Sequence, residues 1–258
     1  MISIVTINLN HADGLRRTLQ SVVGQSYRNW EIIVIDGGSE DQSVEVANEF
    51  RREIRQFRSE HDKGIYHAMN KGASFAQGRY LYFLNSGDQL FSPATLENVA
   101  ARLEFDLHYG DDERVGPTGK REIRRSPELL TPYRFYLDSI CHQTCFYKKT
   151  VFDRLGGFSE EFRIVSDWEL NLRLVFENYT KSHLGLVVAK YEGGGLSSVR
   201  TPEHEKERRR AMERIIPRGV LHDYERLRKA EEELRQCENR GLKLLVADWW
   251  RRKLESFR

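Results

Sequence analysis

Tyr80-Leu81-Tyr82-Phe83-Leu84-Asn85-Ser86-Gly87-Asp88 is the stretch that decides the fold. Tyr80 to Leu84 is an unbroken apolar run, too short for a helix and without alternation. That is the pattern of a strand buried on both faces. It stops abruptly at small and polar turn-forming residues. The same grammar occurs twice upstream. Ile2-Ser3-Ile4-Val5-Thr6-Ile7 runs into Asn8-Leu9-Asn10, and Glu31 to Ile35 runs into Asp36-Gly37-Gly38-Ser39. Helical spacing fills the intervals. Leu15, Leu19, Val22 and Val23 fall on one helix face. Val44, Val46, Ala47, Phe50 and Ile54 do so over 42–57. Phe57 to Glu60 reads as a short strand before His61-Asp62-Lys63-Gly64, and Ile65 to Ala76 as a helix. Strands alternating with helices predict βαβ units and a parallel sheet. In such sheets ligands bind beyond the carboxyl ends of the strands. Asn8, Asp36, Asp62 and Asp88 are therefore expected to share one crevice.

The second half is less regular. Leu107 to Tyr109 reads as an edge strand ending at Gly110-Asp111-Asp112-Glu113, whose acids read as a surface loop. Residues 114–132 read as a mobile loop. His142 to Tyr147 is expected to be a strand, Lys148 to Leu155 a short helix closed by Gly156-Gly157, Asp167 to Phe176 a helix and Leu184 to Tyr191 a strand. Gly193-Gly194-Gly195-Leu196-Ser197 reads as a flexible loop.

Bulk properties exclude several classes. With 41 Lys plus Arg against 39 Asp plus Glu in 258 residues, the net charge of +2 gives no field for nucleic acid. Residues 201–258 hold 16 Lys/Arg and 12 Asp/Glu, a net of +4, so the excess is in the tail. Cys141, Cys145 and Cys237 match no metal spacing and fit a reducing compartment. The opening run is too short for a signal core, and no run approaches a membrane span. The expected location is the cytoplasm, with the inner face of the cell membrane as an alternative. No Gly-x-Gly-x-x-Gly or P-loop follows the first strand, which removes the main support for dinucleotide or ATP binding.

At this point several blocks, in order, resemble family-2 glycosyltransferases. They are Ile4-Val5-Thr6-Ile7-Asn8, Ile32 to Asp41, Tyr66-His67-Ala68-Met69-Asn70-Lys71-Gly72, Tyr80 to Asp88, Leu155-Gly156-Gly157-Phe158 and Val165-Ser166-Asp167-Trp168-Glu169-Leu170. The resemblance spans residues 2–198. It implies the GT-A fold, a Rossmann-like α/β domain with a mixed, mainly parallel sheet flanked by helices. It also implies a nucleoside diphosphate sugar donor, UDP favoured, and a saccharide or lipid-linked saccharide acceptor in bacterial surface polysaccharide assembly.

The resemblance also assigns roles. Asp88 takes the last position of an Asp-x-Asp-type motif and is the expected ligand of Mn²⁺ or Mg²⁺, which would neutralise a diphosphate leaving group. Gly87 departs from the pattern, which has an acid there, so the metal is expected to bind with the donor. Asn85 and Ser86 flank it. Asp36 is the nucleobase candidate, with Thr6, Asn8 and Asp62 in the same pocket and Lys63 facing the phosphates. Asn70 is a further donor-side candidate. Asp167, rather than Glu169, is the expected general base of an inverting transfer. His142 and Gln143 are expected near the acceptor or diphosphate, and Gly194, Gly195 and Ser197 to close over the donor. Strand-end hydrogen bonding, helix capping and a satisfied core histidine are the structural alternatives for these residues.

From residue 201 the pattern is helical and charged, forming an appendage to the 1–200 catalytic domain. Glu alternates with Arg and Lys at i,i+3 and i,i+4, the mark of a solvated helix, and Pro217 should break it. Leu242, Leu244, Leu245, Val246, Trp249 and Trp250 beside Lys243, Arg251, Arg252 and Lys253 fit a membrane surface, packing on the catalytic domain or a homodimer. Two rival functions stand beside the main one. They are nucleotidyl transfer, which Asn8-Leu9-Asn10-His11 does not favour, and non-catalytic nucleotide-sugar binding, which Gly87 keeps open.

Overall fold

The computed structural model describes residues 1–115, 119–193 and 201–255, with side chains through residue 238. The chain runs β1 (Ile2–Asn8), α1 (Ala12–Val23), β2 (Trp30–Asp36), α2 (Ser43–Glu49), β3 (Ile54–Ser59), α3 (Ile65–Phe75) and β4 (Tyr80–Phe83). Next come β5 (Gln89–Leu90), α4 (Thr95–Ala100), β6 (Leu107–Val115), β7 (Arg121–Arg124) and α5 (Pro132–Leu137). A single 3₁₀ turn at His142–Thr144 leads to β8 (Phe146–Lys148), α6 (Lys149–Arg154), α7 (Ser166–Phe176), β9 (Lys181–Tyr191), α8 (Pro202–Ile215) and α9 (Arg218–Glu255).

The sheet order is β3-β2-β1-β4-β8-β6-β9-β5, with β7 paired to β6. β3, β2, β1 and β4 are parallel, as the alternating pattern requires. The register sets Asn8 beside Asp36, and Asp36 beside Ser59, at the carboxyl ends. Ile4, Val5, Ile32, Ile33, Val34 and Ile35 have no exposed surface, nor do Leu15, Leu19 and Val22 of α1. α3 crosses β1 closely at Gly72, where a Cβ would stand 2.4 Å from Val5 Cγ1. The helix could not approach the strand so closely with a side chain there. The architecture is the expected mixed sheet flanked by helices.

Several local expectations change. The 42–57 helix stops at Glu49, because Ile54 is buried in β3 and pairs with Ile32. Strand pairing there outweighs helical spacing. β6 is an interior strand rather than an edge, held between antiparallel β8 and parallel β9. It extends to Val115, so Asp111 and Asp112 are fully buried, not on a surface loop. Arg125, the Ser126 amide and His183 satisfy Asp111, whereas Arg114 pairs with Asp112 Oδ2 and leaves the buried Oδ1 without a hydrogen bond among the described residues. Part of the expected 114–132 loop is β7, paired with Asp112 to Val115. Of the expected 142–147 strand, the first residues form the 3₁₀ turn instead.

The chain divides into two compact units, Met1–Ala211 and Met212–Arg258. His204, Glu207, Arg208 and Ala211 are buried in the first. The Glu207 carboxylate accepts from the amides of Arg163, Ile164 and Val165, just before α7. Pro217 separates α8 from α9. Among the described residues no helix is long and apolar enough to cross a membrane. The side chains of the apolar, Trp-bearing end, Leu242 to Lys253, and residues 194–200 with Gly194, Gly195 and Ser197 lie outside the described residues.

Candidate active site at the carboxyl ends of the strands

The loops after β1, β2 and β3 gather first. Asn8 Nδ2 donates to Asp36 Oδ1 at 2.8 Å and to Ser39 Oγ at 3.2 Å. Asp36 Oδ1 also accepts from Ser39 Oγ, and its Oδ2 from the Ser39 amide and Ser59 Oγ. Burial alone would raise the Asp36 pKa, but these hydrogen bonds hold it below the ordinary carboxylate value. Asp36 has no exposed surface and both oxygens are occupied, so it knits three strand ends together. Thr6 is equally buried, with Oγ1 unpartnered. Asn8 Oδ1 is a second buried acceptor without a partner. Gly38 sits against the His61 ring, which brings the 61–64 loop to this cluster.

In that loop Asp62 Oδ1 meets Lys71 Nζ at 2.5 Å and His67 Nδ1 at 3.0 Å, while its Oδ2 is buried and unpartnered. Lys63 is exposed. Asn70 is spent elsewhere. Its amide donates to Phe158 O at 2.8 Å and its Oδ1 accepts from the Phe158 amide at 3.0 Å. It pins the 157–158 turn to α3.

Beyond β4, Asp88 is 5% exposed. Its Oδ2 accepts from Gln143 Nε2 at 2.8 Å and its Oδ1 from the Glu192 amide at 3.0 Å. Cys141 Sγ donates to Gln143 Oε1, which turns the amide nitrogen towards Asp88. Burial raises the Asp88 pKa to about 6, against the lowering effect of both hydrogen bonds. Gly87 has φ +101°, and a Cβ there would lie 1.8 Å from Glu192 Oε2. The Glu192 carboxylate, held by Arg17 with His11 nearby, occupies the space a side chain at 87 would need. Asn85 Oδ1 and Ser86 Oγ are buried without partners. No group of three or more His, Cys, Asp or Glu among the described residues is placed to hold a metal ion. One carboxylate with lone pairs to spare fits a hard divalent cation only together with diphosphate oxygens and water.

Asp167 opens α7. Its Oδ2 lies 3.1 Å from His142 Nδ1, and its Oδ1 2.8 Å from Tyr66 Oη. Tyr66 Oη is also 2.8 Å from Ile164 O, so one hydroxyl proton serves two acceptors. His142 Nε2 lies 3.3 Å from Asn85 Nδ2. An amide nitrogen only donates, so Nε2 accepts and Nδ1–H donates to Asp167. Burial would raise the Asp167 pKa, yet His142 and Tyr66 outweigh it and leave the value lowered. Asp167 is therefore ionised at neutral pH.

Asp88 and Asp167 line one cavity of about 330 Å³. A second, of about 230 Å³, adjoins it and is also lined by Asp167. Asp167, His142, Gln143, Ile164 and Tyr191 belong to both walls. Two adjoining cavities that share an ionised carboxylate suit transfer of a group from one bound molecule to another.

A family model described as glycosyl transferase family 2 matches residues 3–156. This chain belongs to that family. A PGL/p-HBAD biosynthesis glycosyltransferase of Mycobacterium tuberculosis is 34% identical over 214 residues, covering 77% of this chain and 79% of the relative. An uncharacterized glycosyltransferase of the same species is 32% identical over 212 residues, covering 78% of each. Among solved structures, S. aureus TarS 1–349 in complex with UDP-GlcNAc superposes with a TM-score of 0.66 at 19% identity, covering 83% of this chain and 65% of that one. A mannosyltransferase from Pyrobaculum calidifontis in complex with GDP-Man and Mn²⁺ gives 0.57 at 16%, covering 81% and 60%. These two show the GT-A fold. The family-2 match ends before Asp167, so the geometry alone brings that residue to the cleft of this glycosyltransferase.

Sequence reasoning missed Tyr66, Glu192 and Arg17. Tyr66 reads as one more apolar position on α3. Glu192 and Arg17 are 175 residues apart, and nothing in their local sequence announces a pair.

Proposed function

We propose that this glycosyltransferase moves a monosaccharide from a nucleoside diphosphate sugar to an acceptor hydroxyl with inversion at the anomeric carbon. The observation that carries the reading is the single cavity with buried Asp88 in one wall and ionised Asp167 in another. Asp167 takes the proton of the acceptor hydroxyl as that oxygen attacks the anomeric carbon from the face opposite the leaving group. His142 and Tyr66 hold its lone pairs in place, and this pre-ordering contributes with general-base catalysis, typically ~10²–10⁴-fold. Only one carboxylate is needed, unlike the matched pair of a glycosidase.

Asp88 would hold Mn²⁺ or Mg²⁺ together with the donor diphosphate, and that cation would neutralise charge on the departing nucleoside diphosphate. The nucleoside would lie over the ends of β1 to β3. There Asn8 Oδ1 and Asp62 Oδ2 are unpartnered acceptors suited to an imide or ribose donor, so UDP remains the favoured nucleotide. In this reading Asp36 acts through Asn8 and Ser39 rather than by direct contact. The proposed setting is bacterial surface polysaccharide assembly; the mycobacterial relative is a glycosyltransferase of PGL/p-HBAD biosynthesis.

A thermal-shift panel of UDP-, dTDP- and GDP-sugars with Mn²⁺, followed by release of nucleoside diphosphate from any that bind, tests the function. A metal-dependent shift and slow donor hydrolysis are expected with one nucleotide class. Binding without any turnover would favour the non-catalytic rival.

A further inference from the structure

The second cavity, which Asp167 also lines, carries chemistry that glycosyl transfer alone does not require. Arg114 from β6, Arg124 from β7 and Arg208 from α8 line it, against the carboxylates of Asp138 and Asp167. Two of the arginines are braced on aromatic rings. The Arg208 guanidinium lies 4.2 Å from the Trp168 ring centroid, and that of Arg114 5.4 Å from the Tyr191 centroid. Arg208 also donates to the carbonyls of Phe135 and Tyr136. Arg114 commits Nε to Asp112 Oδ2 at 2.7 Å, and Asp112 is fully buried and not part of the cavity lining. Arg124 commits Nη2 to Ser139 O, and its carboxylate neighbour Asp138 stands 3.7 Å off. Among the described residues, the two Nη groups of Arg114 and the Nε and Nη1 of Arg124 carry no hydrogen bond. A guanidinium offers five N–H donors in a rigid fork, which matches a carboxylate or phosphate in a bidentate way. A ligand that fills this cavity strips water from those donors. A neutral sugar replaces that water with hydroxyls alone, whereas an anion compensates the charge as well.

We infer that the acceptor is anionic. It carries a phosphate or carboxylate that Arg114 and Arg124 receive while its nucleophilic hydroxyl lies at Asp167. This rests on Asp167 being the base of the proposed transfer. It goes further by naming the charge of the acceptor and the residues that read it.

The test is equilibrium binding to the full chain, preloaded with UDP and Mn²⁺, of three small probes. They are methyl glucoside, methyl glucuronide and glucose 1-phosphate, measured by calorimetry or ligand-observed NMR. The anionic probes should bind about tenfold or more tightly than the neutral one, the scale of one charge-assisted contact. The better of the two anions identifies a uronate-type or a phosphate-type acceptor. Arg124→Gln should abolish most of the preference, and Arg114→Gln should do the same should the first variant fail to fold. Equal binding of all three probes would overturn the inference. So would a preference that survives in a folded arginine variant. The wild-type comparison requires no variant. The proposed function fails separately, through absence of donor hydrolysis, whatever the probes show.

Discussion

Asp167 is held by two donors that both favour its charged form, and each can be removed singly. Asp167→Asn should keep donor binding and lose transfer by ~10²–10⁴-fold. Tyr66→Phe removes one hydrogen bond to the carboxylate while keeping the ring that packs on Phe158. Loss of a bond to the ionised form raises the pKa, so the acid limb of the rate–pH profile should move up by about one unit. An unmoved limb with unchanged kcat would mean that Tyr66 supports only the fold. Asp88 has the opposite perturbation. Its folded pKa of about 6 lies above the unfolded value near 3.8. The folded state therefore holds its proton more firmly. That advantage is complete below the unfolded value and is lost as pH rises through 6. In chelator, the stability of the wild type relative to Asp88→Asn should fall by on the order of 2–3 kcal/mol between pH 4 and pH 7, read by urea titration. A flat difference would show that Asp88 is less buried than described. At Gly87 the positive φ strains any side chain, and a Cβ would have to displace the Glu192 carboxylate from Arg17. Gly87→Asp, which restores the acid of the family pattern, should destabilise by roughly 1–3 kcal/mol in thermal melts instead of tightening metal binding.

At the scale of elements, the parallel half of the sheet was legible because each strand is an apolar run between helical periods. β1, β2 and β4 lie where those runs lie, and their polar ends share one edge of the sheet. β6 was not legible past Tyr109. Asp111 and Asp112 look like loop residues until Arg114, Arg125 and His183, from two other segments and β6 itself, neutralise them inside the sheet. Long-range pairing of this kind leaves no local pattern. The first half of α8 misled for the same reason. Its charged composition reads as solvated, yet Glu207 caps three amides ahead of α7, the helix that carries Asp167. Glu207→Gln should loosen that entry and lower the melting temperature, while Glu205→Gln, at an exposed position, should not. At the site, Asp88 and Asp167 were readable as strand-end and helix-start carboxylates. Of the brace around them, His142 and Gln143 were expected near the site, but Tyr66 was not, because it joins Asp167 only through the fold.

At the scale of the molecule, the sequence divides its labour in space. In the proposed function the unpartnered acceptors at the ends of β1 to β3 would receive a nucleoside, Asp88 after β4 would serve a diphosphate, and Asp167 at the start of α7 would serve the acceptor. The claim that binds these together is that one carboxylate, Asp167, drives displacement with inversion in the cavity it shares with Asp88. The most direct test is early-time proton NMR of the sugar released or transferred from an α-linked nucleoside diphosphate sugar, run with wild type and Asp167→Asn. The account predicts a β-anomeric product from the wild type, and none above background from a variant that still binds the donor. An α-anomeric product, or an active Asn variant, would contradict it.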